Sequence, residues 1–154
     1  TRVLELTTKE GPMSARAKSK SGTKRKGTKS RRTTPTICWF EVPADDPQRA
    51  KKFYGSLFGW KIQKFPGAED YWHIDTGSGD RTRDGGLILR KHPEQSNTSY
   101  VAVASVDDSA AKVEKLGGTI CKPKTAVLQM GYFVLCQDTE GNEFALWEMN
   151  AQAK

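Results

Sequence analysis

Glu41 and His73 are the side chains here best suited to moving a proton, and Trp39, Tyr71, Tyr100 and Trp147 are aromatic residues that can wall a site around them. A glutamate withdrawn from water has its pKa raised and then serves as a base nearer neutrality, with an imidazole to accept or donate the proton. Other chemistry is thinly supplied. The two histidines, His73 and His92, have no histidine or carboxylate partner four residues on. Cys38, Cys121 and Cys136 form no CxxC pair and are odd in number; reduced thiols in a reducing cytosol are expected. The glycine-rich stretch Gly77–Gly86 is followed by no helical pattern that would add its dipole to a phosphate cradle, so a hairpin loop is expected. Asp138–Asn142 has the look of a calcium loop but lacks the remaining ligand positions, and reads as a hairpin turn.

The elements that must position these groups follow from periodicity. Ile37–Val42 alternates as a strand, which places Trp39 and Glu41 on one face, and Pro43 is expected to end it. Asp45 or Asp46 then caps a helix with Pro47 in its first turn, and Ala50, Phe53, Leu57 and Phe58 form its apolar stripe. Gly59 stops it, Trp60–Ile62 returns to extended chain, and strands follow at Tyr71–Asp75 and Leu87–Arg90. The second half repeats this order. A strand at Tyr100–Val106 leads to a helix capped by Asp107 or Asp108, with Val106, Ala110, Val113 and Leu116 as its stripe. Gly117–Gly118 ends that helix, and strands follow at Thr119–Cys121, Gly131–Gln137 and Glu143–Trp147. Glu143, Ala145 and Trp147 share one face of the last strand. The duplication predicts an α+β fold in which two βαβββ modules form one curved mixed sheet, with helices on the convex side and a cavity on the other. Trp39, Glu41, Tyr100 and Trp147 are then candidate lining residues, joined by Tyr71 and His73 in matching register.

Charge separates the ends of the chain. The 154 residues carry a formal +7, yet residues 14–32 alone hold nine basic residues and no acid, and residues 33–154 net −2. Residues 1–34 are expected to be a disordered basic tail, and 35–150 a single folded domain. The basic run of residues 14–32 could neutralise nucleic-acid phosphates, although no aromatic side chain interleaves it to stack on bases. No apolar run is long enough for a membrane span and no signal peptide is visible, so a cytoplasmic protein without membrane contact is expected.

An ordered series of phrases resembles the vicinal oxygen chelate (VOC) superfamily, which includes glyoxalase I, bleomycin-resistance proteins and extradiol dioxygenases. The phrases are Phe53-Tyr54, Leu57-Phe58-Gly59-Trp60, Val113-Glu114-Lys115-Leu116-Gly117-Gly118, Met130-Gly131-Tyr132-Phe133, Asp138-Thr139-Glu140-Gly141-Asn142 and Phe144-Ala145-Leu146-Trp147-Glu148. They span residues 37–148, in the manner of a glyoxalase-like branch whose first strand reads Trp-Phe-Glu. The resemblance implies paired βαβββ modules around a cavity and, in metal-dependent members, a divalent ion held by His, Gln or Glu. Carried onto this chain, the ligand positions fall on Trp39, on Thr98 or Tyr100, and on Ala145, with no acid or imidazole among Leu87, Ile88 and Leu89. No metal and no cofactor are therefore expected. The resulting expectation is a VOC-domain protein that binds a small, partly apolar molecule in its cavity. Further readings are a metal-independent, glyoxalase-like lyase or isomerase using Glu41 as base, and a nucleic-acid-associated protein. The resemblance also implies a homodimer, which an exposed sheet edge would favour.

Overall fold

The computed structural model describes residues 34–68 and 70–154. The tail expected over residues 1–34, with the nucleic-acid contact ascribed to residues 14–32, lies outside the described residues apart from Thr34.

Both halves form the expected module. The first is β1 (Thr36–Ala44), α1 (Pro47–Phe58), β2 (Lys61–Lys64), β3 (Tyr71–Asp75) and β4 (Gly85–Leu89). The second is β5 (Thr98–Ala102), α2 (Val106–Lys115), β6 (Thr119–Val127), β7 (Gly131–Gln137) and β8 (Glu143–Met149). Together they make one eight-stranded, curved and unclosed sheet in the order β2-β3-β4-β1-β5-β8-β7-β6. β1 runs parallel to β4 and β5 parallel to β8, while β1 and β5 meet antiparallel at the centre and join the modules.

Local chemistry explains the boundaries. Asp46 accepts hydrogen bonds from the amides of Gln48 and Arg49 at 2.9 and 3.0 Å, satisfying two otherwise unpaired donors of α1. Gly59 closes that helix with φ 72°, a left-handed conformation that any side chain would strain. α2 is capped by Ser105, whose Oγ accepts from the Asp108 amide at 3.1 Å, rather than by Asp107 or Asp108. Those two acids sit in the first turn instead, where the helix dipole favours them. Pro43 does not end β1. The carbonyl of Ala44 bonds to the Arg90 amide beside β4, so in the alternating pattern Pro43 turns its nitrogen towards the other side, where pairing with β5 has already stopped at Glu41. β5 is shorter than expected, because Val106 already belongs to α2.

The helices cover one face of the sheet. Val42, Ala44, Ile62, Ile74 and Leu87 form a buried cluster beneath Ala50 and Tyr54 of α1. Val106, Val134, Cys136 and Leu146 form a second, packed with Ala110 and Val113 of α2. Each fully buried aliphatic side chain stabilises the fold by about 1.5–3 kcal/mol. The stripe expected on α1 is displaced: Phe53 and Leu57 are 59 % and 58 % exposed. Trp60, just beyond the helix, explains this by occupying the space against Phe40 and stacking on Tyr54 at 5.6 Å, so α1 packs through Ala50 and Tyr54. Leu116 is likewise exposed, past the last turn of α2.

The two outer strands are guarded. β2 carries Lys61 and Lys64, and β6 carries Lys122, Pro123 and Lys124. Charge and proline on an edge discourage strand addition, which removes the edge-based argument for pairing two copies.

Candidate functional site

The face opposite the helices carries the candidate residues in two neighbouring rows across the sheet. The first follows the pairings His73 to Gly86, Gly86 to Glu41, and Glu41 to Thr98, and continues to Glu143, which accepts the Thr98 hydroxyl proton at 2.9 Å. The second row pairs Trp39 with Tyr100, and Tyr100 with Ala145 and Leu135 beyond it. Strand alternation therefore puts Trp39, Glu41, His73 and Tyr100 on one surface. Tyr71, two residues before His73, joins them.

Hydrogen bonds knit the rows together. The Tyr100 hydroxyl donates to Glu41 Oε2 at 2.9 Å, and the Trp39 indole Nε1–H donates to the Tyr71 hydroxyl at 2.9 Å. The Trp39 and His73 rings stack with centroids 5.7 Å apart and planes 8° from parallel. Gly86 makes this possible, because a Cβ there would lie 2.3 Å from the Tyr71 hydroxyl oxygen. Tyr71 thus folds across β4 towards Glu41, over a position that has no side chain.

Withdrawal from water, reinforced by the like charge of Glu143, raises the Glu41 pKa above the ordinary 4.5. The Tyr100 and Tyr71 hydroxyls and the Lys91 charge oppose that shift without cancelling it. Burial, with the charge of Glu41 beside them, raises both tyrosine hydroxyls as well, so they stay protonated donors. The folded chain consequently holds the Glu41 proton more tightly than the unfolded one. This contribution favours the folded state at low pH and is lost as pH rises from 4.5 through the folded-state value. A single titrating group caps this slope at about 1.4 kcal/mol per pH unit. Denaturant unfolding across mildly acidic pH is expected to show that decline in the wild type and to lose this component in Glu41→Gln.

Trp147 stands apart from Trp39. Its ring lies over Gly131, where a Cβ would come within 2.8 Å of it, and its strand partner is Phe133. Phe133 in turn contacts Tyr100 at 6.3 Å between centroids, so Trp147 extends the aromatic wall from the far side and does not plug the hollow with Trp39.

Two participants were not among the candidate lining residues read from the sequence. Asp84, buried, holds His73 Nε2 at 3.2 Å, and Glu143 couples to Glu41 across Thr98. Asp84 lies inside the glycine-rich loop, behind the short 3-10 turn Arg81–Arg83. Its signal was an acid just before the strand paired with that of His73, which needs the hairpin register to be seen. Two concavities open beyond the meeting point of Glu41 and the tyrosines. One of about 520 Å³ faces solvent against α1 and β2, lined by Lys51, Lys52, Trp60 and Lys61 among others. Another of about 360 Å³ is a polar cleft that reaches Glu143 from His92 and Asn97. The open face remains the candidate site, because the desolvated acid and its hydroxyl donors converge there.

The comparisons with known proteins place this architecture. A family model described as bleomycin resistance protein-like N-terminal matches residues 36–77. A glyoxylase-like domain-containing protein of Didymella fabae is 31 % identical over 121 residues, covering 71 % of this chain and 91 % of that protein. CFP32 of Mycobacterium bovis, provisionally named a glyoxylase, is 30 % identical over 125 residues; these cover 78 % of this chain and 47 % of CFP32, so the chain spans about half of that relative. Among solved structures, a glyoxalase/bleomycin resistance protein/dioxygenase superfamily member from Vibrio splendidus superposes with TM-score 0.57 at 13 % identity, covering 76 % of this chain and 100 % of that one. The Mn(II)-bound glyoxalase of Novosphingobium aromaticivorans gives TM-score 0.57 at 18 % identity, covering 76 % of this chain and 39 % of that one. The fold is that of the VOC superfamily. The chain belongs to its glyoxalase and bleomycin-resistance-like family.

The residues at the positions where the resemblance puts metal ligands do not fit an ion. Trp39 offers an N–H already donated to Tyr71, the Thr98 and Tyr100 hydroxyls are donated to Glu143 and Glu41, and Ala145 ends in a methyl. Among the described residues no cluster of three or more His, Cys, Asp or Glu is placed to hold a metal. Nor, among them, is any helix long and apolar enough to cross a membrane.

Proposed function

We propose that the open face of the sheet binds a small, partly apolar molecule without the family's metal centre. The observation that carries this reading is the convergence of Glu41, Tyr100 and Tyr71 on a surface walled by Trp39 and Phe133. A few fixed polar groups among aromatic rings suit a ligand with one polar end and a flat apolar body. Glu41, which already accepts from the Tyr100 hydroxyl, would accept from a donor on the ligand, and the Tyr100 oxygen keeps a lone pair for a second donor. A homodimer, if the family expectation is kept in this reading, has to form through surfaces other than the lysine-guarded edges.

The test uses the indole N–H resonances of the four tryptophans as reporters in the full chain. Small planar ketones, phenols and carboxylic acids are titrated in turn while the spectrum is followed. Ligands that bind are expected to move the Trp39 resonance and leave those of Trp60 and Trp72, which pack on the helix side. Binders that consistently move Trp60 or Trp72 while Trp39 stays fixed overturn the reading. A second reading, a metal-independent lyase or isomerase with Glu41 as base, is favoured by the raised carboxyl pKa alone. With a bound carbonyl compound, it requires deuterium uptake from solvent that Glu41→Gln abolishes.

A further inference from the structure

We propose that Asp84 is a positioning residue that fixes the tautomer of His73 and makes its Nδ1 the hydrogen-bond acceptor of the site. Asp84 Oδ1 accepts from the Thr76 amide at 3.1 Å and from the Thr76 hydroxyl at 3.3 Å, while Oδ2 faces His73 Nε2 at 3.2 Å. The Asp84 side chain is 8 % exposed and that of His73 32 %, so the acid is locked in place while the imidazole still reaches the surface. A carboxylate in this position only accepts. His73 therefore carries its proton on Nε2 in the neutral imidazole, and the lone pair resides on Nδ1. Stacking against Trp39 fixes the ring plane, so two independent contacts set the orientation.

The consequence concerns ligand chemistry, and it rests on the open face being the binding site. With that tautomer the site holds a nitrogen acceptor at the other end of the row that contains Glu41, the acceptor of the Tyr100 hydroxyl. Its ligand would carry a hydroxyl or other hydrogen-bond donor on the side facing β3. The Tyr71 phenol lies over Gly86, between Glu41 and His73, so that group would reach Nδ1 from beside the phenol ring.

Asp84→Asn gives a sharp test, because asparagine keeps the shape and changes the donor pattern. The Thr76 amide still needs an acceptor, so the Asn carbonyl oxygen stays at the Oδ1 position and the NH₂ group turns to His73. Nε2 must then accept, and the proton moves to Nδ1. With two histidines in the chain, long-range nitrogen–proton NMR resolves both rings, and His92 serves as the internal reference. At about pH 8.5, above the ordinary histidine range, His73 is expected as the Nε2–H form in the wild type and as the Nδ1–H form in Asp84→Asn. A wild-type His73 in the Nδ1–H form, or as an even mixture, overturns the proposal without any variant. So does an Asp84→Asn protein that folds and keeps the Nε2–H form. The spectra need no ligand. Failure of this inference leaves the Trp39 titration standing, and failure of that titration leaves the tautomer result standing.

Discussion

Gly86→Ala is expected to destabilise the fold by about 2–4 kcal/mol and to abolish any ligand response at Trp39. The alanine Cβ would stand 2.3 Å from the Tyr71 hydroxyl oxygen and 2.6 Å from the ring carbon that bears it. Neither distance is tolerable, so the phenol end of Tyr71 must move away. Its departure strips the Trp39 indole N–H of its acceptor and removes one of the hydroxyls beside Glu41. An unpartnered polar group in a partly buried setting costs about 1–3 kcal/mol, which comes on top of the steric penalty. Chemical denaturation gives the stability loss and the Trp39 resonance gives the loss of the site. A variant of wild-type stability with an unchanged Trp39 signal would mean that Tyr71 does not cross β4 as described.

Leu87→Ala, one residue further along the same strand, is expected to cost about 2–5 kcal/mol by a different route. Leu87 points to the helix side, is fully buried, and sits in the cluster with Val42, Ile62 and Ile74. Its truncation leaves a cavity beneath α1 and moves no group of the open face. The two substitutions therefore separate what they affect. Leu87→Ala lowers the denaturation midpoint while leaving the Trp39 environment near wild type in the protein that remains folded. A Leu87→Ala loss under about 1 kcal/mol would show that α1 is not packed on this cluster.

Local patterns in the chain are legible from residue types alone, while contacts set by the tertiary fold are not. Strand alternation and the duplicated strand–acid–helix–glycine order were enough to place Trp39 with Glu41, and to anticipate one curved sheet, because these are local patterns with a fixed period. Helix faces were less legible. Phe53 and Leu57 have the spacing of a core stripe, but Trp60 competes for the same space and takes it, an outcome that depends on the angle at which α1 crosses the sheet. Pro43 looked like a terminator because its partners were unknown; it sits where one side of β1 has none. The polar connections of the site were out of reach for the same reason. The Asp84 bond to His73 and the Thr98 bond to Glu143 depend on strand register, and nothing local in GSGDRTRDGG marks its last acid as buried.

The proposed function has the open face working without a metal, with an indole, a hydroxyl and a methyl at the positions where the family resemblance puts metal ligands. Metal analysis of the full-length chain after exposure to zinc, nickel, manganese and iron(II), followed by desalting, tests it most directly. The expected result is far less than one ion per chain, with no shift of the Trp39 resonance on adding any of the four. One equivalent of a tightly held ion that is lost in Glu41→Gln and that moves the Trp39 signal would contradict the account.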